Sequence, residues 1–520
     1  MDSEIDAGKR WYELGPATSL VKLEGLAFRE YQFNITKSIL QGKNTLVVLP
    51  TGLGKTLIGI FAIADALYKG KKAMFLAPTK PLCEQHHNTL LGLLRLEPNE
   101  ILLLTGAVGK KKRMMLENEA KVIVATPQTI ANDLKHALLS LDDFGVIVFD
   151  ECHRAVGKYA YTYIANEAEQ KGVQIVGLTA SPGGKPEKIK ELIDTLKIEN
   201  IEVRILTDED VVQYVMPKYL HVIYVEKSER IRLITSYLRP LIEESLESLN
   251  KMELIGFKKF EHIPKGKLIE LGNEISKITA TNYRFGAMYS YIKLLNLLHM
   301  YDLVETEGLY AFSSYIESLA RREKKSRAIL SLLNNKNIVI AKQISDEGIR
   351  LGYEHPKVEA LLGILAEYKD KSIIVFAQYR SSIKMLVEQL SNHGYNARPF
   401  VGKKEGITQM QQKQIIEDFR SGKFNILVAS SIGEEGLDIP SVDVVVFYEP
   451  IPNEIRNIQR RGRTGRFRAG EIYMLVTKAT KDEVYFFVSR QRERKMLSII
   501  NSIKAKLAAQ KSEGQKKLSI

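Results

Sequence analysis

Pro50-Thr51-Gly52-Leu53-Gly54-Lys55-Thr56 stands between an apolar run, Thr45–Leu49, and a helix-patterned one, Leu57–Leu67. Strand, glycine loop and helix in that order are what a phosphate-binding loop requires. The glycines let the backbone approach an anion, successive amide N–H groups point inward, and the helix N-terminus adds positive potential. Thr51, Gly52, Leu53 and Gly54 then form the cradle, Lys55 reaches the β- and γ-phosphates, and Thr56 holds Mg²⁺. About 95 residues further on, Asp150-Glu151-Cys152-His153 closes the apolar run Gly145–Phe149. The C-terminal end of a strand is where open α/β sheets place their ligands. Asp150 suits the hydration shell of Mg²⁺, and Glu151 suits orienting or deprotonating an attacking water. An acidic pair ending a strand could instead cap a helix; the phosphate loop upstream favours the catalytic reading. Cys152 reads as a small residue packed inward, and His153 either as a coupling residue or as a polar loop residue.

A third cluster is Gln459-Arg460-Arg461-Gly462-Arg463-Thr464-Gly465-Arg466. So many arginines could form a simple nucleic-acid patch. However, beyond Lys55 no loop of the first α/β stretch supplies a charge for the γ-phosphate. An arginine delivered from another domain can accelerate phosphoryl transfer by about 10³–10⁵. Arg463 and Arg466 are assigned that role, and Gln459 a contact with the γ-phosphate or the water.

These groups need a scaffold. Two stretches alternate β-rich apolar runs with helical patterns, the mark of a parallel-sheet α/β unit whose strands are covered on both faces. The first gives strands at Thr45–Leu49, Ala73–Ala77, Ile101–Leu104, Val122–Ala125, Val146–Asp150 and Ile175–Leu178. The second gives Ile373–Ala377, Ile426–Ser430, Val442–Tyr448 and Ile472–Val476. Between them apolar residues recur at helical spacing, as in Ile231, Ile234, Leu238, Leu241 and Ile242. Tyr283, Phe285, Met288, Tyr289, Tyr291, Leu294, Leu295 and Leu298 form a second such series, expected to be helix core rather than a base-stacking platform. Residues 226–342 carry 19 Lys/Arg against 14 Asp/Glu, with Arg321, Arg322, Lys324, Lys325 and Arg327 clustered. The expected domains are 1–205, a helical insert at 206–345, a second α/β unit at 346–490, and a basic C-terminal helix and tail at 491–520.

The composition of 45% hydrophobic and 26% charged residues is that of a folded globular protein and excludes a disordered, collagen-like or disulfide-stapled chain. No apolar run reaches the ~18 residues that span a bilayer. The N-terminus has no signal-peptide pattern, and the two cysteines, Cys83 and Cys152, suit a reducing compartment with no metal cage. The expected location is therefore intracellular, cytoplasmic and nucleoid-associated. The net charge of +13 (75 basic, 62 acidic) suits a polyanionic partner. Seven of those charges fall in the last 31 residues, where a solvated tail explains them as well as a binding arm does.

The order of these segments resembles a superfamily 2 helicase over nearly all of residues 25–470. The resemblance implies two RecA-like parallel-sheet domains with a helical insert domain between them, using ATP and Mg²⁺. Phe28-Arg29-Glu30-Tyr31-Gln32 is similar to the upstream motif whose glutamine reads adenine, which assigns Gln32. Ala77-Pro78-Thr79-Lys80 and Thr126-Pro127-Gln128-Thr129 resemble motifs that grip a nucleic-acid backbone, which assigns Pro78, Thr79, Lys80, Thr126 and Pro127. Thr179-Ala180-Ser181 resembles the segment coupling hydrolysis to movement, which assigns Thr179 and Ser181 beside His153. In the second unit, Ile374–Arg380 and Ser430–Pro440 resemble the remaining motifs. They place Arg380, Ser430 and Ser431 at the strand, and Gly436 and Asp438 at the nucleotide. Backbone amides and hydroxyls that hold phosphates without reading bases suit a motor that steps along any sequence.

The insert narrows the resemblance to the branch containing archaeal Hef and the Fanconi-anaemia M-type fork remodellers, with the RIG-I-like and Dicer-type duplex-RNA motors as neighbours. The implied partner is branched or forked DNA, reached through the insert at Lys258, Lys259, Lys265, Lys267 and the 321–327 cluster. A solvated helix face would explain those charges too. Hef proteins carry a nuclease domain, and a longer parent chain could hold one. Glu493-Arg494-Lys495 matches only part of that nuclease signature, since its expected downstream Asp is Ile499 here, so it reads as a charged helix.

Overall fold

The computed structural model describes residues 10–105, 119–183, 185–214, 218–402, 408–430, 442–450 and 470–517. Among these, the first lobe is a seven-stranded sheet of parallel strands. Its strands are β1 (Thr45–Val48), β2 (Lys72–Leu76), β3 (Ile101–Leu104), β4 (Val122–Ala125), β5 (Phe144–Phe149), β6 (Gln174–Thr179) and β7 (Asn200–Val203), in the spatial order β3-β4-β2-β5-β6-β1-β7. The helices α1 (Glu30–Ile39), α2 (Lys55–Tyr68), α3 (Lys80–Leu93), α4 (Pro127–Lys135), α5 (Ala160–Gln170) and α6 (Pro186–Thr195) cover it. Two apolar cores result, one on each face. Ile58, Phe61 and Ile63 of α2 close one core over Val47, Phe75 and Val148; Ile130, Tyr161 and Ile164 close the other over Met74, Ile147 and Phe149. This two-sided burial explains why the strands read as unbroken apolar runs. A short helix, α7 (Glu209–Val212), packs Val211 back on the first core.

The chain then enters the second sheet before the insert. Strand β8 (Lys218–Val225) pairs along its whole length with a strand 252 residues downstream, Lys218 facing Gly470 and Val225 facing Thr477. The boundary expected at 206–345 is thus not where the sheets divide: 209–212 pack on the first lobe and 218–225 form an edge of the second. The insert proper is a helical bundle of α8 (Glu229–Lys251), α9 (Lys265–Lys277), α10 (Thr281–Thr306), α11 (Leu309–Ala320), α12 (Arg327–Leu333) and α13 (Lys336–Arg350). Ser228 caps α8, its hydroxyl accepting the Ile231 N–H. Ile231, Ile234, Leu238 and Ile242 then face Leu294, Leu297 and Phe312 in one core.

After α14 (Pro356–Glu367) the second lobe is completed by β9 (Ile373–Phe376), α15 (Arg380–Asn392), β10 (Ala397–Phe400), α16 (Gln409–Arg420), β11 (Ile426–Ala429), β12 (Val444–Phe447) and β13 (Gly470–Thr477). Its strands are again parallel, in the order β10-β11-β9-β12-β13-β8. A last helix, α17 (Lys481–Lys517), leaves this sheet and returns to the first lobe. Its Phe486 lies in the second lobe's core, and its Met496 and Ile500 lie in the first lobe's. The basic helix expected at 491–520 is therefore part of a longer one that begins at Lys481 and is docked over part of its length.

The insert is fastened to the second lobe by buried charge. Lys357 of α14 is fully buried and lies 2.6 Å from Asp482 of α17, donates to the Thr306 carbonyl at 2.9 Å, and stands over the Tyr448 ring. Glu307, at the end of α10, accepts from the Ser382 hydroxyl at 2.6 Å. His355 Nε2 meets the Glu305 carbonyl while its Nδ1 accepts the Lys357 N–H. Burial and the Lys357 charge depress the His355 imidazole to about 3, so it is neutral. Among the described residues no helix is long and apolar enough to cross a membrane.

Candidate active site and nucleic-acid interface

The candidate phosphate-binding loop lies where the spacing places it, between β1 and α2. Gly52 and Gly54 have φ of 89° and 73°, the left-handed region that only glycine enters cheaply. A Cβ on Gly54 would also collide with the Gln32 amide nitrogen. Gln32 is buried under the loop, donating to the Leu53 carbonyl at 3.0 Å and to that of Gly54 at 3.4 Å, while the Tyr31 hydroxyl donates to Leu53. Gln32 thus shapes the loop directly, whatever it does for a base. Lys55 starts α2 and folds back, its ammonium donating to the Leu49 carbonyl at 2.9 Å.

Across the sheet, Asp150 and Glu151 end β5, beside β6. Asp150 is buried, with Oδ2 at 2.8 Å from His86 Nε2 and its carbonyl accepting the Tyr161 hydroxyl. Glu151 has φ of 48°, an uncommon conformation for a non-glycine residue and one that accompanies functional turns. Burial would raise its carboxyl pKa, but His153, Lys55 and Arg154 outweigh that and hold it below the usual carboxylate range. Its Oε2 lies 3.3 Å from His153 Nδ1, yet no hydrogen bond satisfies this buried oxygen. An ionised acid with an open acceptor, under the field of the loop lysine, fits a site that takes a water near a polyphosphate. Lys55 offers a cation, and Thr56 and Asp150 oxygen donors, of the kinds a Mg²⁺–triphosphate takes, so the set fits the expected nucleotide.

His153 and the Thr179-Ala180-Ser181 segment, both assigned a coupling role, are in contact. His153 Nδ1 stands 3.1 Å from Thr179 Oγ1; that hydroxyl donates to the Ser181 carbonyl at 3.0 Å and accepts the Ser181 N–H at 3.1 Å. Cys152 is buried and reduced, its thiol pushed well up by burial, in accord with a packing role.

The residues assigned to a strand lie at the loop ends of both sheets. Thr79 precedes α3 and Thr126 precedes α4; Pro78 and Pro127 stand next to them. Thr126 and Thr129 share a 2.9 Å hydroxyl contact. The Thr79 hydroxyl and, in the second lobe, the Ser430 hydroxyl are both buried without a hydrogen-bond partner. Such orphans are rare and costly unless a ligand supplies the partner. Lys80 pairs loosely with Glu84 at 3.8 Å, and Lys413 of α16 reaches the same carboxylate at 2.8 Å, linking the lobes. Arg380 is exposed at the start of α15. Ser431, Gly436, Asp438, Gln459, Arg463 and Arg466 lie outside the described residues.

The aromatic series of α10 departs from expectation. Leu294 and Leu298 are core, but Phe285 is 64% exposed, and Tyr283, Tyr289 and Leu295 are exposed as well. Phe285, Met288 and Tyr289 line a groove with Ser326 and Arg327, next to the basic turn at 321–327. Lys258, Lys259 and Lys267 lie on the insert; Lys267 is engaged by Glu270 and Glu274, as a solvated helix face would be. The Lys265 side chain is outside the described residues. The residues missed by sequence reasoning are His86 and Tyr161, which hold Asp150, and Met496, which touches Ser181. Their partners lie 64, 11 and 315 positions away, with no local motif to mark them.

Comparison with known proteins decides the family. A solved structure, the Pyrococcus furiosus Hef helicase domain, superimposes with a TM-score of 0.69 at 41% identity, covering 89% of this chain and 98% of that one. The chain belongs to the Hef group of superfamily 2 helicases. Family models agree: DEAD/DEAH box helicase over residues 29–189, helicase conserved C-terminal domain over 356–468, and "putative ATP-dependent RNA helicase, helical bundle" over 230–346. Among curated relatives, a putative ATP-dependent RNA helicase of Methanocaldococcus jannaschii is 36% identical over 93% of this chain and 62% of that protein. The ATP-dependent DNA helicase fml1 of Schizosaccharomyces pombe is 32% identical over 88% of this chain and 58% of that protein. The chain thus spans about three-fifths of the length of these relatives. The Hef-type helicase architecture, two parallel-sheet lobes around a helical bundle, is the one expected from the sequence.

Proposed function

We propose that this chain is an ATP-hydrolysing motor that translocates on DNA and remodels branched molecules such as stalled forks and four-way junctions. The observation that carries the catalytic half is Glu151: half-buried just after a strand end, held ionised by His153, Lys55 and Arg154, and left with an unsatisfied buried oxygen. Lys55 and the loop amides bind the phosphates, Thr56 and Asp150 hold Mg²⁺, and Glu151 orients and deprotonates the attacking water. The metal supplies charge neutralisation on the phosphoryl oxygens. Gln459, Arg463 and Arg466 bring the second lobe's contacts, with Gly436 and Asp438 at the nucleotide and Gln32 at the adenine. Pro78, Thr79, Lys80, Thr126, Pro127, Arg380, Ser430 and Ser431 grip phosphates, so closure and opening change the spacing of two grips on one strand.

The DNA half of the proposal rests on the likeness to the Hef helicase domain and to relatives named as DNA helicases. The exposed aromatics beside the 321–327 cluster supply the insert with a surface for unstacked bases and phosphates at a junction. A duplex-RNA-stimulated ATPase is the second reading, favoured by the words "RNA helicase" in the M. jannaschii relative's name and the helical-bundle family. ATPase stimulation by forked DNA, linear duplex DNA and duplex RNA separates the two. Forked DNA should stimulate most; preference for duplex RNA would overturn the DNA reading, and absence of turnover on every substrate would overturn the motor itself. The location proposed is intracellular, at the chromosome.

A further inference from the structure

The long helix α17 belongs to both lobes. It starts in the second, where Asp482 holds Lys357 and Phe486 is core, and it docks on the first, where Met496 and Ile500 are about as buried as any core residue. Phe486 and Ile500 are 14 residues apart, which at about 1.5 Å of rise each makes a rod roughly 21 Å long. It meets α6 and β7, next to the coupling segment. There the Ser181 hydroxyl, itself fully buried, donates to Met496 Sδ at 2.8 Å.

From Ser181 the contacts run on without a gap. Ser181 and Thr179 are doubly hydrogen bonded, Thr179 meets His153 at 3.1 Å, and His153 meets Glu151 at 3.3 Å. A part rigidly rooted in one lobe therefore touches the other lobe four contacts from the acid assigned to water activation. Any rotation of the lobes about a nucleotide must carry the far end of this rod across the first lobe or bend it. In either case the contact of Met496 with Ser181 must change.

We propose that α17 is a strap reporting lobe position to the catalytic acid, with Met496 as the positioning residue that acts through Ser181, Thr179 and His153. The strap sets the orientation of His153 and thereby the geometry of Glu151, so hydrolysis proceeds at full rate only in one arrangement of the lobes. This inference rests on the ATPase reading above.

Leucine and methionine have nearly the same volume, and such swaps are well tolerated in a core. Met496→Leu therefore keeps the packing and removes only the acceptor for Ser181. In the full chain with forked DNA, Met496→Leu should lower kcat about tenfold, the scale of a small misplacement at a reacting centre, with KM for ATP and the melting temperature close to wild type. Ser181→Ala should do the same, and the double variant should be no worse than either. Unchanged kcat in Met496→Leu would overturn the relay, as would a loss of stability that accounts for the whole effect. Amide exchange provides a readout independent of turnover. The N–H groups of Arg154 and Ala155, which close the turn at Glu151, should exchange faster in Met496→Leu while the strands stay protected. Wild-type protein without ATPase would refute the motor reading alone, and equal exchange in the two proteins would refute the strap alone.

Discussion

Removing the Lys357 ammonium should loosen the junction between the insert and the second lobe more than any other single change there. The side chain is fully buried and holds Asp482 at 2.6 Å and the end of α10 through the Thr306 carbonyl. Glu307 is buried beside it; burial raises its carboxyl pKa, and the Lys357 charge offsets only part of the rise. In Lys357→Met the volume is nearly kept, but Asp482 becomes a buried carboxylate without a counter-ion. Breaking one partner of a buried pair costs about 3–5 kcal/mol, whereas replacing both with apolar groups is often close to neutral. At roughly 2–4 °C per kcal/mol for a domain of this size, the transition of the second lobe should fall by about 6–20 °C. The assay is a thermal and a urea melt of Lys357→Met, Asp482→Leu and the double variant. The double should recover most of the loss. A single-variant cost below about 1 kcal/mol, or a double variant as unstable as the sum of the singles, would show that this pair does not hold the junction.

Other consequences follow from single observations. Lys55→Ala and Glu151→Gln should abolish DNA-stimulated turnover, with loss of a general base alone worth about 10²–10⁴; substantial ATPase in either would refute its role. Gly54→Ala forces a left-handed non-glycine residue, costing about 1–2 kcal/mol, and drives a methyl into Gln32, so nucleotide affinity read by titration should fall. Burial raises Glu354 from its ordinary 4.5 to about 7. An acid whose folded pKa is raised contributes stability below its unfolded pKa and loses it as pH rises through the folded one. Stability should therefore drop by about 3 kcal/mol between pH ~4.5 and ~7 from this group, and Glu354→Gln should flatten that part of the denaturation profile. His355, depressed to about 3, works in the opposite sense, losing stability as pH falls below its ordinary value. On the insert, alanine at Arg322 and Lys324 should reduce the salt dependence of forked-DNA binding by about 0.9 in slope for each side chain seated on a phosphate; an unchanged slope would leave the cluster as solvated surface.

The central strands were legible because both of their faces are covered, so they read as apolar runs. Three of the four sheet edges were not. β7 alternates Asn200-Ile201-Glu202-Val203, and β10 carries Pro399, which only an edge tolerates. β8 keeps Tyr219 and Tyr224 largely in solvent, and its partner β13 lies beyond the whole insert, so no local pattern joins them. The fourth edge, β3, was found because Ile101-Leu102-Leu103-Leu104 is apolar throughout. The candidate phosphate loop, strand-end acids and coupling segment were picked out for a different reason: phosphate chemistry fixes residue types at short spacing. Their supports, His86, Tyr161 and Met496, are set by tertiary placement and leave no such trace. Tyr291 of α10 packs on the core as expected, but Tyr283, Phe285 and Tyr289 were misread, because helical periodicity reports an apolar face without saying whether a neighbour covers it.

The proposed motor holds a triphosphate between two lobes, each supplying charges the other lacks. Its most direct test is Arg466→Ala, assayed by ATP titration and by DNA-stimulated turnover in parallel. ATP affinity should stay near wild type with kcat reduced by about 10³ or more, as for a charge felt chiefly in the transition state. Undiminished turnover, or an affinity that collapses together with the rate, would contradict it.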